Sequence, residues 1–219
     1  MNMNFDAVVF DMDGVIFDSE RAILLCWKEI AQKRGFSNIE ETFYKCIGVT
    51  NARTKEIVLE DYGQDFPYDE VDSEAMVLFK ERYSEGRLPL KKGVNELLEY
   101  LNDKNIKIAL ASSTRREKVL LQLEAAGILK YFEKIVAGDM VERSKPAPDI
   151  YLKACEELGV EPQKAYAIED SHNGIRSASA AKLRPIMVPD LLPATEEMIN
   201  LCEVVLDNLL EVKEYLKDK

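Results

Sequence analysis

Six short apolar runs, separated by segments with helical periodicity, constrain the fold more than any other feature of this sequence. The runs are rich in β-branched residues and span 7–10, 106–111, 134–137, 165–168, 186–188 and 204–206. Apolar residues recur at helical spacing between them, as in Val94, Leu97, Leu98 and Leu101. Alternating strands and helices of this kind predict a parallel sheet with helices on both faces. We therefore expect an α/β fold, a doubly wound parallel sheet with a Rossmann-like core.

The alternation is interrupted between residues 18 and 87, where helical patterns occur without a convincing strand. Three helices are predicted there, around residues 23–31, 57–61 and 71–83. About 70 residues far exceed an ordinary connection between a strand and a helix. The interval is therefore predicted to be an inserted helical cap domain, with residues 1–17 and 88–219 forming the α/β catalytic core.

The charge balance excludes two classes of partner. The chain carries 40 Asp and Glu against 29 Lys and Arg, a net charge of −11, which repels nucleic acid and anionic membrane surfaces. No apolar run approaches the roughly 20 residues of a membrane span, and the first residues lack the pattern of a secretory signal. We expect a cytoplasmic monomer that binds neither nucleic acid nor membranes.

The residue types that remain for chemistry are mainly carboxylates, hydroxyls and lysine. The four cysteines show no CxxC spacing, and His172 is the only histidine. A zinc site or a metal cluster of several histidines is therefore not expected.

Polar residues follow four of the predicted strands, at the edge of the sheet where ligands bind in doubly wound folds. These segments are Asp11-Met12-Asp13-Gly14, Ser112-Ser113-Thr114, Ser144-Lys145-Pro146 and Glu169-Asp170-Ser171. Because the carboxyl ends of parallel strands meet at one rim, we expect the four segments to converge.

This combination suits phosphoryl transfer. Asp11 is the candidate nucleophile, and a carboxylate that approaches a phosphate needs a cation beside it. Mg²⁺, which prefers oxygen ligands, would be held by Asp11, Asp170 and a backbone carbonyl. Asp13, two residues further on, can act as general acid and base.

The remaining residues would bind the phosphate or balance charge. The Ser112 hydroxyl and the following N–H groups, including that of Ser113, can hold phosphate oxygens, and Lys145 supplies a positive charge. Glu169 beside Asp170 gives two carboxylates that repel unless a cation or a lysine lies between them. Each motif also has a plain explanation as a turn or a helix cap. Their joint occurrence at successive strand ends favours a site.

The motifs resemble those of the haloacid dehalogenase superfamily, in the branch that carries a helical cap between its first two motifs. The match covers nearly the whole chain in the right order, through DMDGV at Asp11, LASST at Ser112, SKPAPDIY at Lys145 and EDS at Glu169. The resemblance implies that Asp11 is the nucleophile and that Asp13 is the acid/base residue. It also implies that Ser112 and Lys145 bind the phosphate. By the same resemblance, the acids at the metal are Asp170 and Glu169, together with Asp11 and Asp13.

The resemblance also narrows the reaction. Dehalogenases of the superfamily generally lack the second aspartate, so Asp13 argues against dehalogenation. The chain is similar to β-phosphoglucomutases and to sugar-phosphate phosphatases, but Ile23 stands where such mutases carry a cap histidine. We expect a Mg²⁺-dependent phosphatase that acts on a small phosphorylated metabolite, and the resemblance implies that this metabolite is a sugar phosphate.

The sequence leaves two alternative functions open, and it offers only candidates for the residues that select the substrate. The alternatives are a phosphosugar mutase and, more distantly, a receiver module that stores phosphate on an aspartate. The side chains expected to contact the non-phosphate end of the substrate are Ser19, Arg53, Lys80 and Arg115.

Overall fold

The computed structural model describes residues 4–47, 51–84 and 86–219. In this part of the chain, six strands form one parallel sheet in the order β3-β2-β1-β4-β5-β6. The strands are β1 (Ala7–Phe10), β2 (Lys107–Ser112), β3 (Lys134–Ala137), β4 (Ala165–Glu169), β5 (Arg184–Met187) and β6 (Val204–Val205). The predicted α/β fold is confirmed, and each predicted strand is present with its ends shifted by no more than two residues.

The strand order places a crevice beside β1. Strands β2 and β3 follow one another on one side of β1, and β4 lies on the other side of β1. In doubly wound folds ligands bind outside the carboxyl ends of the strands where the order reverses. The residues that follow β1 and β4, beginning with Asp11 and Asp170, flank that position.

Four helices occupy the interval after β1, and the described residues between 19 and 83 form no strand. They are α1 (Ser19–Arg34), α2 (Ile39–Cys46), α3 (Asn51–Tyr62) and α4 (Tyr68–Tyr83). Helix α2 was not predicted. It has only eight residues, which is too short for its apolar spacing at Ile39, Phe43 and Cys46 to be distinguished from a loop.

The segments that enter and leave this helical interval lie side by side. The backbone N–H of Asp18 donates to the carbonyl of Pro89 at 2.9 Å, and that of Lys91 donates to the carbonyl of Ile16 at 2.8 Å. The Lys91 ammonium also lies 2.5 Å from the carboxylate of Asp190, in the loop after β5. The base of the helical interval is therefore attached next to the carboxyl end of β1.

The other six helices cover the two faces of the sheet. They are α5 (Val94–Asp103), α6 (Arg116–Ala125), α7 (Asp149–Leu158), α8 (His172–Ala180), α9 (Glu196–Leu201) and α10 (Leu209–Lys217). Alternate residues of β1 point to opposite faces: Val8 and Phe10 pack in one apolar cluster with residues of α5 and α10, and Ala7 and Val9 in another with residues of α7. Burial on both faces explains why this strand is apolar throughout.

All four cysteines are free thiols. Among the described helices, none combines the length and the apolar character that crossing a bilayer requires.

Candidate active site

Lys145 joins three of the four strand-end segments. Its ammonium lies 2.5 Å from Oδ1 of Asp11 and 2.5 Å from Oε1 of Glu169, and it also donates to the backbone carbonyl of Ala111 at 3.0 Å. A lysine ammonium has three N–H donors, and these three acceptors match that number. The lysine side chain is 8% exposed. The predicted convergence of Asp11, Lys145 and Glu169 is therefore observed.

Glu169 is held from several sides. Oε1 accepts a hydrogen bond from the Tyr151 hydroxyl at 2.7 Å, and Oε2 accepts from the backbone N–H and the hydroxyl of Ser171 at 3.3 and 3.1 Å. Gly174 makes room for the carboxylate, because a Cβ there would lie 1.9 Å from the Glu169 carboxyl carbon. Glu169 is fully buried and fixes the position of the Lys145 ammonium.

Three carboxylates lie close enough together to bind one metal ion. An oxygen from each of Asp11, Glu169 and Asp170 lies within 4.8 Å of the others. The side chain of Asp13 is outside this group, so a metal role for Asp13 stays a prediction.

The electrostatics of this group fit a divalent cation. Burial raises the pKa of Asp11 to about 8, against the opposing effect of Lys145 and with added repulsion from Glu169 and Asp13. Burial, followed by the charges of Glu169 and Asp11, raises the pKa of Asp170 well above its ordinary value. The single positive charge of Lys145 therefore does not balance the negative charge of these carboxylates. Oxygen ligands that carry excess negative charge are the ligands that Mg²⁺ requires.

Gly14 allows Asp170 to reach this position. Its φ is +81°, a conformation that side chains with a Cβ rarely adopt, and a Cβ at Gly14 would lie 2.2 Å from Oδ2 of Asp170. The turn after Asp13 therefore requires glycine for its backbone and for the approach of the carboxylate.

We expect Gly14→Ala to destabilise the protein more than Gly35→Ala. Gly35 has a similar φ of +77° but nothing within 4 Å of its added Cβ, so the second variant carries only the backbone strain. The clash with Asp170 should add about 1–3 kcal/mol to the loss of unfolding free energy, measured by urea denaturation. Equal losses in the two variants would contradict the close approach of Asp170.

Thr114 holds Asp13 and was not identified from the sequence. Its hydroxyl donates to Oδ2 of Asp13 at 2.9 Å, and its backbone N–H donates to the Ser112 hydroxyl oxygen at 3.1 Å. These bonds bring the segments after β1 and β2 together, as predicted for Ser112 and Asp13. The sequence contained a signal for this residue, because Thr114 is the last of the three hydroxyl residues that follow the predicted second strand.

A cavity of about 330 Å³ opens over these residues. The cavity is lined by residues of the strand-end segments and of α1, among them Asp11, Asp13, Lys145, Asp170, Ser113, Thr114, Lys118, Ser19, Glu20 and Ile23. The Ser19 hydroxyl oxygen is buried and has no hydrogen-bond partner among the described residues. Burial, with repulsion from Asp13 and Asp190, raises the pKa of Glu20 to about 7. The sequence singled out Ser19 but missed Glu20 and Lys118 as cavity residues.

Three predicted selectivity residues lie outside the residues that line this cavity. Arg53 forms ion pairs with Glu56 and Glu60, each at 2.9 Å, on an exposed surface of α3. Lys80 and Arg115 are exposed, on α4 and just before α6. Their selection rested on residue type and approximate place in the chain, neither of which determines the direction of a side chain.

Comparisons with known proteins agree with this fold and show the family. A family model described as haloacid dehalogenase-like hydrolase matches residues 8–188. A phosphorylated carbohydrates phosphatase of Thermotoga maritima is 34% identical over 186 residues, covering 83% of each chain. A beta-phosphoglucomutase of Bacillus subtilis is 32% identical over 181 residues, covering 80% of this chain and 79% of its own.

A solved structure gives the same result. The crystal structure of a hydrolase of this family from Deinococcus radiodurans, with bound phosphate and sodium, superposes with a TM-score of 0.83 at 25% identity. The superposition covers 99% of this chain and 97% of that chain. The chain belongs to the haloacid dehalogenase-like hydrolase family. These relatives confirm the predicted class of enzyme, which is a phosphoric monoester hydrolase or a phosphomutase.

Proposed function

We propose that this protein is a Mg²⁺-dependent phosphatase that hydrolyses a small phosphorylated metabolite, of the sugar-phosphate class, through an aspartyl-phosphate on Asp11. The observation that carries the proposal is the position of the Asp11 carboxylate, which lies 2.5 Å from the Lys145 ammonium and lines a cavity together with Asp13 and Asp170. A nucleophile, a proton carrier and a fixed positive charge therefore face the same space.

The first transfer forms the phosphoenzyme. A carboxylate oxygen of Asp11 attacks phosphorus, the bond from phosphorus to the ester oxygen breaks, and Asp13 donates its proton to the departing oxygen. The Thr114 hydroxyl donates to one carboxylate oxygen of Asp13. The other oxygen of Asp13 then carries the proton that is transferred in the cavity. The Ser112 hydroxyl oxygen accepts from Thr114, so its proton remains available for a phosphate oxygen, and Ser113 and Lys145 complete the phosphate site.

The second transfer regenerates the enzyme. Asp13 accepts a proton from a water molecule, the water oxygen attacks the phosphorus, and the bond to Asp11 breaks to release inorganic phosphate. Lys145 remains between Asp11 and Glu169 in both steps and compensates their charge.

The metal would be held by Asp11 and Asp170 together with a backbone carbonyl. Magnesium, when bound, supplies positive charge that reduces the repulsion between the phosphate and these acids. We propose that Glu169 acts mainly by positioning Lys145, because both of its oxygens already accept hydrogen bonds. The direct metal role of Glu169 stays a prediction, since its carboxylate lies in the same group as Asp11 and Asp170.

We further propose that residues 18–87 act as a cap over this site, since Ser19, Glu20 and Ile23 of α1 line the cavity. Hydrolysis is preferred to mutase activity because Ile23, which cannot transfer a proton, faces the space where the resemblance places a mutase histidine. Membership in a hydrolase family disfavours the receiver alternative. The cytoplasmic location and the monomeric state stay predictions.

A panel of phosphate monoesters tests the function. With Mg²⁺ we expect release of inorganic phosphate from sugar phosphates, with little isomerised product, and reversible loss of activity in EDTA. Each reaction should be analysed for free phosphate and for isomerised sugar phosphate. Isomerisation of glucose 1-phosphate with little phosphate release would identify a mutase instead, and full activity in EDTA would contradict the metal dependence.

A further inference from the structure

A second cavity of about 450 Å³ lies among the cap helices and adjoins the catalytic cavity. Glu20, Ile23 and Ile47 line both cavities. We call this second space the cap chamber. Because the two spaces share part of their walls, an ester whose phosphate lies beside Lys145 has room to extend past Ile23 into the chamber.

Aromatic side chains form much of the chamber wall. Trp27 lies 6.5 Å from Phe43 and 5.9 Å from Tyr68, measured between ring centroids, and all three line the space. Met76 of α4 lines it as well. Walls of aromatic rings and a polarisable thioether are well suited to a flat apolar ring, since they supply large contact areas and ring-to-ring geometry.

The ionised groups that the chamber can offer a ligand are carboxylates. Glu20 and Asp72 carry carboxyl groups, and none of the described residues that line the chamber is a lysine, an arginine or a histidine. Burial, with a contribution from Asp69, raises the pKa of Asp72. A second phosphate or a carboxylate in the chamber would therefore lack a cationic partner among the described lining residues, whereas N–H donors would find carboxyl acceptors.

We propose that the cap chamber binds the non-phosphate end of the substrate, and that this end is a heteroaromatic ring with N–H donors, joined to the phosphate through a short hydroxyl-bearing spacer. The ring would lie against Trp27, Phe43 and Tyr68, its N–H groups would donate to Asp72, and the spacer hydroxyls would donate to Glu20. The inference deepens the proposed function and rests on it: within the sugar-phosphate class, it names esters of a sugar or polyol that carries a ring.

Binding can be measured separately from turnover, because Trp27 is the only tryptophan of the chain. The Asp11→Asn variant should be titrated with AMP, with GMP and with ribose 5-phosphate, which lacks the ring, while Trp27 fluorescence is recorded. We expect saturable quenching by AMP or GMP and no quenching by ribose 5-phosphate. Absence of quenching by both nucleotides would overturn the proposal.

Selectivity should then be measured in the active enzyme. We expect kcat/KM for AMP or GMP to exceed that for ribose 5-phosphate by about tenfold or more, as stacking of a base on aromatic side chains provides. Thr54→Phe places a larger side chain in the chamber and should reduce this ratio, whereas Ala52→Phe, at an exposed position of the same helix, should retain it. A ratio below tenfold for both nucleotides, or an equal effect of the two variants, would overturn the proposal.

The outcomes separate this inference from the proposed function. Hydrolysis of all three esters at similar rates would keep the phosphatase and reject the ring site. Quenching of Trp27 by a nucleotide without phosphate release from any ester would keep the ring site and reject the phosphatase.

Discussion

Asp11→Asn is expected to reduce phosphate release on the order of 10⁴-fold or more while the protein remains folded. An amide has nearly the shape of a carboxylate but is not a nucleophile, so the first transfer cannot occur. The loss should appear in kcat for every substrate that the wild-type enzyme hydrolyses, because the same residue receives the phosphoryl group in each case. Asp103→Asn, at an exposed position at the end of α5, provides a matched control and should retain activity.

The pKa of Asp11 makes the stability of this variant informative. A carboxyl group whose pKa is raised in the folded state stabilises the fold below its unfolded pKa, and that contribution is lost as the pH rises through the folded value. For Asp11 the folded value is about 8. Without Mg²⁺ at pH 8, Asp11→Asn should therefore unfold at the same or a higher urea concentration than the wild type. Activity close to that of the wild type, or a large loss of stability at this pH, would contradict the account of Asp11.

Lys145→Met is expected to impair both turnover and stability. The substitution leaves Asp11 and Glu169, both buried, without the ammonium that lies 2.5 Å from each. Burial opposes a charged lysine here, but the charges of Asp11 and Glu169 outweigh it and raise the pKa of Lys145. Breaking a buried ion pair from one side costs about 3–5 kcal/mol. We expect a loss of unfolding free energy of that size at pH 8 and a decrease of kcat on the order of 10³-fold.

A double variant distinguishes the structural from the chemical role of this lysine. Lys145→Met with Glu169→Gln removes one positive and one negative charge, so it should recover part of the stability but none of the activity. Lys92→Met, at an exposed lysine, serves as the control for loss of a positive charge. Recovery of turnover in the double variant would show that Lys145 acts only by balancing Glu169, which the proposed mechanism does not allow.

The convergence of the site was predictable because it follows from topology. Parallel strands end at one edge, so the residues directly after them must meet whatever the details of packing. Asp11 and Asp170 follow the two strands that flank the reversal of strand order, and Lys145 reaches them from the loop after β3. No helix boundary had to be known accurately for this prediction.

The cap side of the site was less predictable, because it depends on the rotation of helices about their axes. Glu20 and Ile23 face the cavity from α1, whereas Arg53 and Lys80, chosen by charge, lie on exposed surfaces of α3 and α4. The sequence of an insertion made of four helices specifies which face of each helix is apolar. It does not specify how those faces are arranged over a neighbouring sheet.

The central claim is that the phosphoryl group passes through Asp11, and it can be tested by trapping. The wild-type enzyme should be mixed with Mg²⁺ and a substrate identified in the ester panel, quenched in acid during turnover, digested and analysed by mass spectrometry. We predict that the peptide containing Asp11 carries the mass of one phosphoryl group, located on that residue and absent from the Asp11→Asn variant. Phosphate release during turnover with no phosphoryl group on Asp11, or with the group on another residue such as Ser112, would contradict the account.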